Sequence, residues 1–204
     1  DEAGRGALAG PVVVGAVVIP ERLKTSADGQ WLEFVNDSKK LIPQMREYLG
    51  SHIKRSCISA IGIGELERIN SLGIISALKI AATRAVEKLQ LPGVMVYVDG
   101  DLPLVLGRMQ QCVVRGDGKF LEIACASIIA KVARDSMMKQ WGRVYPTYGF
   151  EGHKGYGTRM HLENIFRMGA CEIHRRSFRI QAQGMGQRMK IGDIIPTDIF
   201  LKTD

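Results

Sequence analysis

At 204 residues, 46% hydrophobic and 24% charged, the chain lies within ordinary globular limits and is long enough to bury a core of its own. Its 28 Lys and Arg against 21 Asp and Glu leave a net charge of +7, a balance that suits a protein meeting polyanions. The four cysteines (Cys57, Cys112, Cys125, Cys171) include no C-x-x-C pair, and no run approaches ~18 consecutive apolar residues. A thiolate zinc site, a small disulfide scaffold and a membrane-spanning run are thereby excluded, and the chain reads as a cytoplasmic protein with reduced thiols.

Taken in chain order, Pro11 to Pro20 is dense in β-branched residues and bounded by prolines, which predicts a buried strand interrupted at Gly15. From Pro43 the spacing of Met45, Leu49 and Ile53 predicts an amphipathic helix with Pro43 at its first position and Ile42 as a poor N-cap. Cys57 to Glu65 reads as a strand, and Asn70 or Ser71 as the cap of a helix that ends before Pro92. Val94 to Gly100 is an apolar run closing on an aspartate, so it predicts a strand that delivers Asp99 to the sheet edge. Gln111 to Asp117 repeats the pattern and leaves Asp117 between Gly116 and Gly118. A long helix follows from about Glu122 to Trp141, with Ile128, Ile129, Val132 and Met137 on its core face. Thr158 caps a last clear helix and Gly169 stops it. After Phe178 the periodicity is lost, and residues 181–204 read as a tail with a short strand or turn near 194–200. Strands first, then strands and helices mixed, predict an α/β (α+β) mixed-sheet protein.

Four carboxylates share a context. Asp1, Glu2, Asp99 and Asp117 each lie close to a glycine, and the last two follow apolar strands. Gathered in one place they repel each other unless a divalent cation lies between them. All-oxygen donors with no neighbouring cysteine or histidine motif favour Mg²⁺ or Mn²⁺ over zinc. Two such ions can activate water against a phosphodiester. Taken singly, Asp99 and Asp117 are equally at home as turn residues. Adjacent strand residues face opposite ways, so Asp1 and Glu2 reach one ion only if the chain bends, and Gly4 and Gly6 provide for a bend. They also let a phosphate approach the backbone amides, with Arg5 to neutralise it.

DEAGRGALAGP at Asp1, DSKKL at Asp37, YVDG at Tyr97, RGDGK at Arg115, ACASIIAKVARD at Ala124, HKGYGT at His153 and HRRSF at His174 follow one another in an order similar to that of bacterial type 2 ribonuclease H, the ribonuclease HII family. The resemblance covers Asp1 to about Phe178. It implies a ribonuclease H-like fold, a central mixed sheet flanked by helices with a C-terminal helical extension, so that residues 1–180 form the catalytic domain and 181–204 the tail. It implies endonucleolytic cleavage of the RNA strand of RNA–DNA hybrids. It also implies incision on the 5′ side of ribonucleotides embedded in duplex DNA, leaving 3′-hydroxyl and 5′-phosphate ends. Carried over by motif, Asp1, Glu2, Asp99 and Asp117 are the acidic residues of an Mg²⁺ or Mn²⁺ site. Gly4, Arg5 and Gly6 match the loop that grips the backbone at the ribonucleotide, and Tyr156 matches the tyrosine that stacks at the RNA-to-DNA junction.

Ser38, Lys39, Lys131 and Lys154 are candidate phosphate contacts, and Ser127 lies one helical turn from Lys131 on the same face. His153, His161 and His174 lack metal-site spacing, and His161 falls in the first turn of the last helix. Members of the family carry an apolar strand before the DEAGRG block, so the natural protein is expected to be longer. The enzyme is expected to act as a monomer on nucleic acid and away from membranes. The alternatives are a catalytically silent module that binds RNA–DNA hybrids, and another nuclease or integrase of the same fold class that cuts all-DNA substrates.

Overall fold

The computed structural model describes residues 1–181 and 187–196. Strands β1 (Glu2–Ala3) and β2 (Val12–Val18) lead through a short helix α1 (Glu21–Thr25) and a 3₁₀ stretch (Ala27–Phe34) to helix α2 (Pro43–Ser56). Then come β3 (Ile58–Gly64), the long helix α3 (Leu66–Lys88), β4 (Val96–Asp99) and β5 (Gln110–Val113). The last part is helical: α4 (Leu121–Val144), α5 (Phe150–His153) and α6 (Arg159–Met168), closed by the small pair β6 (Arg179–Ile180) and β7 (Met189–Lys190). β1, β2 and β3 pair antiparallel, whereas β4 and β5 pair parallel, so the strand directions are mixed as predicted.

β2 is the strand on which both halves of the core are built. Val12, Val14 and Ala16 face α3, meeting Ala77, Ala81 and Ala85, while Val13 on the other side meets Ala130 of α4. A second cluster joins α2 and α4 through Leu49, Ile53, Ile128 and Ile129 around Trp31. Each fully buried Leu or Ile here contributes on the order of 2 kcal/mol of apolar burial.

Gly15 does not interrupt β2, which pairs with β3 without a break from Val12↔Gly64 to Val18↔Ile58. Its role is steric. A Cβ at Gly15 would stand 2.2 Å from the Ala126 carbonyl of α4, and one at Gly62 would stand 1.9 Å from the Ala81 carbonyl of α3. The two glycines therefore let the two long helices lie directly on the sheet.

α3 also differs from the sequence reading. It begins at Leu66, ahead of Asn70 and Ser71, and is broken at Gly73 by a left-handed φ of 80°. Ser71 bonds back to the Glu67 carbonyl and Asn70 accepts from the Ser177 amide, so neither residue caps the helix. α3 is long and apolar enough by composition to cross a membrane, but its small-residue face packs on β2 and β3.

Ile42 stands at the N-cap of α2 without a side-chain bond, with Pro43 in the first turn, and Thr158 caps α6 by accepting from the His161 amide at 3.3 Å. Past Gln181 the chain pairs β7 with β6 and buries Ile191 and Ile194 against Leu8 and Ile165. A short strand lies at 189–190; of the stretch 194–200 expected to hold a strand or turn, 197–200 lie outside the described residues.

Candidate active site

Asp99 is the last residue of β4, and β5 beside it ends at Val113, where the Gly100 amide donates to the Val113 carbonyl. The chain then turns through Arg115, in the left-handed region at φ 56°, into a 3₁₀ turn over Gly116–Gly118 that carries Asp117. The Gly116 amide donates to Asp99 Oδ1 at 2.6 Å, so one carboxylate anchors the turn that presents the next. Asp117 sits in this turn and not on the strand end.

The other two carboxylates come from the edge of the first sheet. The Gly15 amide donates to the Asp1 carbonyl at 2.9 Å, and Glu2 pairs with Val14. Asp1 sits opposite Gly15 and continues the same ladder, its Oδ1 accepting from the Glu2 amide at 2.5 Å. The chain bends after Ala3, at Gly4 with φ 89°, and not between Asp1 and Glu2. Burial holds the Asp1 α-ammonium below its ordinary value, while the Glu2, Asp99 and Asp117 carboxylates act on it in the opposite direction. All three negative groups therefore lie within coulombic reach of one backbone nitrogen. Among the described residues no three His, Cys, Asp or Glu side chains are closed into a metal-binding cluster. Asp1, Glu2, Asp99 and Asp117 offer only hard oxygen donors.

Next to them the Arg5 guanidinium lies 3.8 Å from the Glu2 carboxylate, Arg5 itself being exposed, and Gly6 faces open space. Tyr156 lies half-buried in the loop after α5, its ring 5.8 Å from Lys131 Nζ and 5.3 Å from the Arg134 guanidinium carbon. Lys131 also pairs with Asp135 at 2.7 Å. Lys154 is left-handed (φ 52°) and its ammonium bonds to the Glu151 carbonyl at the end of α5. Lys131, Lys154, Arg46 and Lys139 line a cleft of about 710 Å³ between α2, α4 and α5. Lys39 is exposed in the turn held by Asp37. Ser38, a candidate phosphate contact, and Ser127, for which helix packing is an equal explanation, are both buried, and their hydroxyls bond each other at 2.8 Å, tying the Asp37–Lys40 turn to α4.

Two arginines that the sequence reading passed over reach this region from below. Arg134 and Arg175 are fully buried, and both donate to backbone carbonyls of the segment after Ala3. One signal existed: Ala126, Ala130, Arg134 and Met138 recur at every fourth residue on the buried face of α4, so Arg134 interrupts an otherwise apolar stripe.

The histidines form a buried chain under the Tyr156 loop. His161 Nδ1 donates to the Tyr156 carbonyl at 2.9 Å, which leaves its Nε2 to accept from His174 Nε2 at 3.1 Å. His174 Nδ1 in turn accepts from the Cys171 amide at 2.9 Å. His153 accepts from the Gly155 amide and donates to the Tyr148 carbonyl. The partners thus fix all three rings in the neutral form. Burial pushes His161 down to about 4, against the bond to the Tyr156 carbonyl, and burial with His161 alongside pushes His174 down to about 3. Both folded values lie below the unfolded one, so this stability is complete above pH ~6.5 and is lost as pH falls towards the folded values. Between pH 7 and pH 5 each histidine should remove on the order of 2 kcal/mol. Denaturant melts across that range check this: His174→Gln should flatten the pH dependence, and parallel curves would contradict it.

These motifs and this arrangement match known proteins. The family model described as Ribonuclease HII matches residues 1–181.

The chain belongs to the ribonuclease HII family.

A ribonuclease HII of Dehalococcoides mccartyi is 46% identical over 183 residues, which is 87% of this chain and 82% of that protein. Among solved structures, the ribonuclease HII of Archaeoglobus fulgidus, in complex with PCNA, superposes with a TM-score of 0.71 at 26% identity, covering 89% of this chain and 94% of that one. Bst-RNase HIII in complex with Mn²⁺ shares the fold, with a TM-score of 0.60 at 20% identity over 72% of this chain and 54% of that one. The fold is therefore ribonuclease H-like. As a ribonuclease HII the chain is an endonuclease that degrades RNA in RNA–DNA hybrids and acts in ribonucleotide excision, and the silent binding module is not favoured.

Proposed function

We propose that Asp1, Glu2, Asp99 and Asp117 hold divalent cations, Mg²⁺ or Mn²⁺, at which the phosphodiester on the 5′ side of a ribonucleotide is hydrolysed to 3′-hydroxyl and 5′-phosphate ends. What supports this reading is that Asp99 Oδ1 holds the turn that presents Asp117, and that Glu2, Asp99 and Asp117 all act on the charge at the Asp1 nitrogen, beside a glycine-rich loop. That the related Bst-RNase HIII is a Mn²⁺ complex supports the choice of metal. Bound there, such an ion supplies Lewis-acid polarisation of the phosphate and a water of lowered pKa.

The chain's own groups do the rest. The only handle that separates RNA from DNA at one nucleotide is the 2′-hydroxyl, so a reader needs backbone donors and acceptors close to the sugar. Gly6 presents a backbone that faces open space, Gly4 packs directly on the Arg134 side chain behind it, and Arg5 stands between them to meet a phosphate. Tyr156 offers a ring to stack on the neighbouring sugar or base. Lys39, Lys131 and Lys154 add phosphate contacts that set affinity and not sequence. Ser38 and Ser127 support these groups from inside.

Residues 1–180 act as the catalytic unit, with 187–196 laid over its C-terminal helices. The enzyme works as a monomer in the cytoplasm, a compartment that suits four unpaired cysteines. The experiment is cleavage of a duplex carrying one ribonucleotide, set against the all-DNA duplex, with Mg²⁺ or Mn²⁺ and with chelator. Cutting only of the first, and only with metal, is expected; cutting of all-DNA would favour a general nuclease of the same fold.

A further inference from the structure

Between Gly4 and Pro11, Arg5 and Gly6 are exposed, while Gly4 and Ala7 to Gly10 are buried with Leu8 as the one large apolar side chain. Besides amide hydrogen bonds from Leu8 to Gly155 and from Gly10 to Ile173, a pair of guanidinium groups grips the carbonyls of this segment. Arg134 donates to the carbonyls of Pro11 (3.0 Å), Ala9 (3.0 Å) and Lys154 (2.9 Å). Arg175 donates to those of Gly10 (2.9 Å), Arg5 (2.9 Å) and Pro11 (3.2 Å). Both side chains are 0% exposed, and among the described residues neither takes part in an ion pair.

A buried charge without a counter-charge is costly, and an apolar side chain of similar size would suit a plain core better. The fork of an arginine does what an apolar group cannot: it joins carbonyls of separate segments in a fixed plane. Arg134 touches both halves of the proposed reader. A Cβ on Gly4 would lie 1.9 Å from its Nε, its guanidinium lies against the Tyr156 ring, and it bonds the Lys154 carbonyl two residues before that tyrosine. Arg175 grips the carbonyl of Arg5 itself.

We propose that Arg134 and Arg175 are positioning residues that lock the Gly4–Gly6 loop and the Tyr156 ring into one rigid unit, so that ribose recognition and metal-site chemistry are held in register. The proposal rests on the reading of those two segments as the ribonucleotide reader. Neither arginine touches substrate; each acts through the backbone it holds.

The test is a double-mutant cycle in single-turnover cleavage of a duplex with one ribonucleotide, with metal at saturating enzyme. Arg134→Lys keeps the charge and loses the planar fork. A misplacement of the reader by about 1 Å should slow the saturated rate on the order of 10²-fold, with substrate affinity changed far less. Added to Tyr156→Ala, Arg134→Lys should slow cleavage by about tenfold less than it does in wild type, because the ring is already gone and only the loop is left to misplace. Effects that multiply would overturn the proposal, as would a wild-type rate in Arg134→Lys. Arg175→Lys provides the same test, in a cycle with Arg5→Ala, should Arg134→Lys not fold. If both lysine variants fail to fold, the pair belongs to the fold and not to the reader, which overturns the proposal as well. A wild-type rate in Tyr156→Ala, by contrast, would sink the reading of Tyr156 and not the clamp.

Discussion

Asp99→Asn is expected to fold, to bind its substrate and to lose cleavage by on the order of 10³-fold, the scale of removing one preorganised electrostatic group from a reaction centre. The expectation comes from what the substitution keeps. Asp99 Oδ1 accepts from the Gly116 amide at 2.6 Å, and an asparagine keeps that acceptor and with it the turn that presents Asp117. What goes is a negative charge among four. In the absence of divalent metal the melting temperature of the variant should be unchanged or higher, because like-charge repulsion is relieved. With Mg²⁺ or Mn²⁺ added, wild type should gain more thermal stability than the variant, since a ligand that binds only the folded state raises its melting temperature. Single-turnover kinetics and melts with and without metal check both halves; full activity in Asp99→Asn would remove the acid cluster from the mechanism.

Gly4→Ala should be nearly as damaging, for a different reason. The residue sits at φ 89°, where an L side chain is strained, and its new Cβ would fall 1.9 Å from Arg134 Nε and 2.4 Å from Arg134 Cδ. A flexible side chain at the surface would swing aside. Arg134 is fully buried and held by three carbonyls, so relief must come from the loop, which moves away from the sugar position. A stability loss of about 1–3 kcal/mol is expected from overpacking, together with a cleavage loss on the order of 10²-fold. Gly6→Ala is the control: its Cβ would meet nothing within 4 Å. Similar melting temperatures in the two variants would contradict the steric argument.

Much of the fold follows from patterns that the sequence displays openly. β2, α2, α4 and α6 declare themselves by β-branched density, by apolar spacing and by caps such as Thr158. The start of α3 escaped because Glu65, its N-cap, makes no capping bond and pairs with Arg84 instead, while Asn70 and Ser71 imitate a cap. Gly15 reads as a strand breaker because sequence cannot show that the Ala126 carbonyl needs its space. The four carboxylates were legible as acids close to glycines, but where they lie relative to one another depends on contacts between separate elements, which no local pattern shows. Ser38 and Ser127 were legible as polar groups near the site and not as a buried pair, since burial of a serine leaves no trace in local pattern. The two arginines were hidden by their chemistry: an arginine is read as surface unless the apolar stripe it interrupts is noticed.

The most direct test of the account is a nucleotide-resolution map of the cut in a duplex with one ribonucleotide, made with Mg²⁺ or Mn²⁺ and again with chelator. A single cut on the 5′ side of the ribonucleotide, leaving a 3′-hydroxyl, absent from the all-DNA duplex and abolished by chelation, is the expected result. Cleavage that persists without metal, or that falls on DNA lacking a 2′-hydroxyl, would contradict the claim that these carboxylates hold the ions beside a ribose-reading loop.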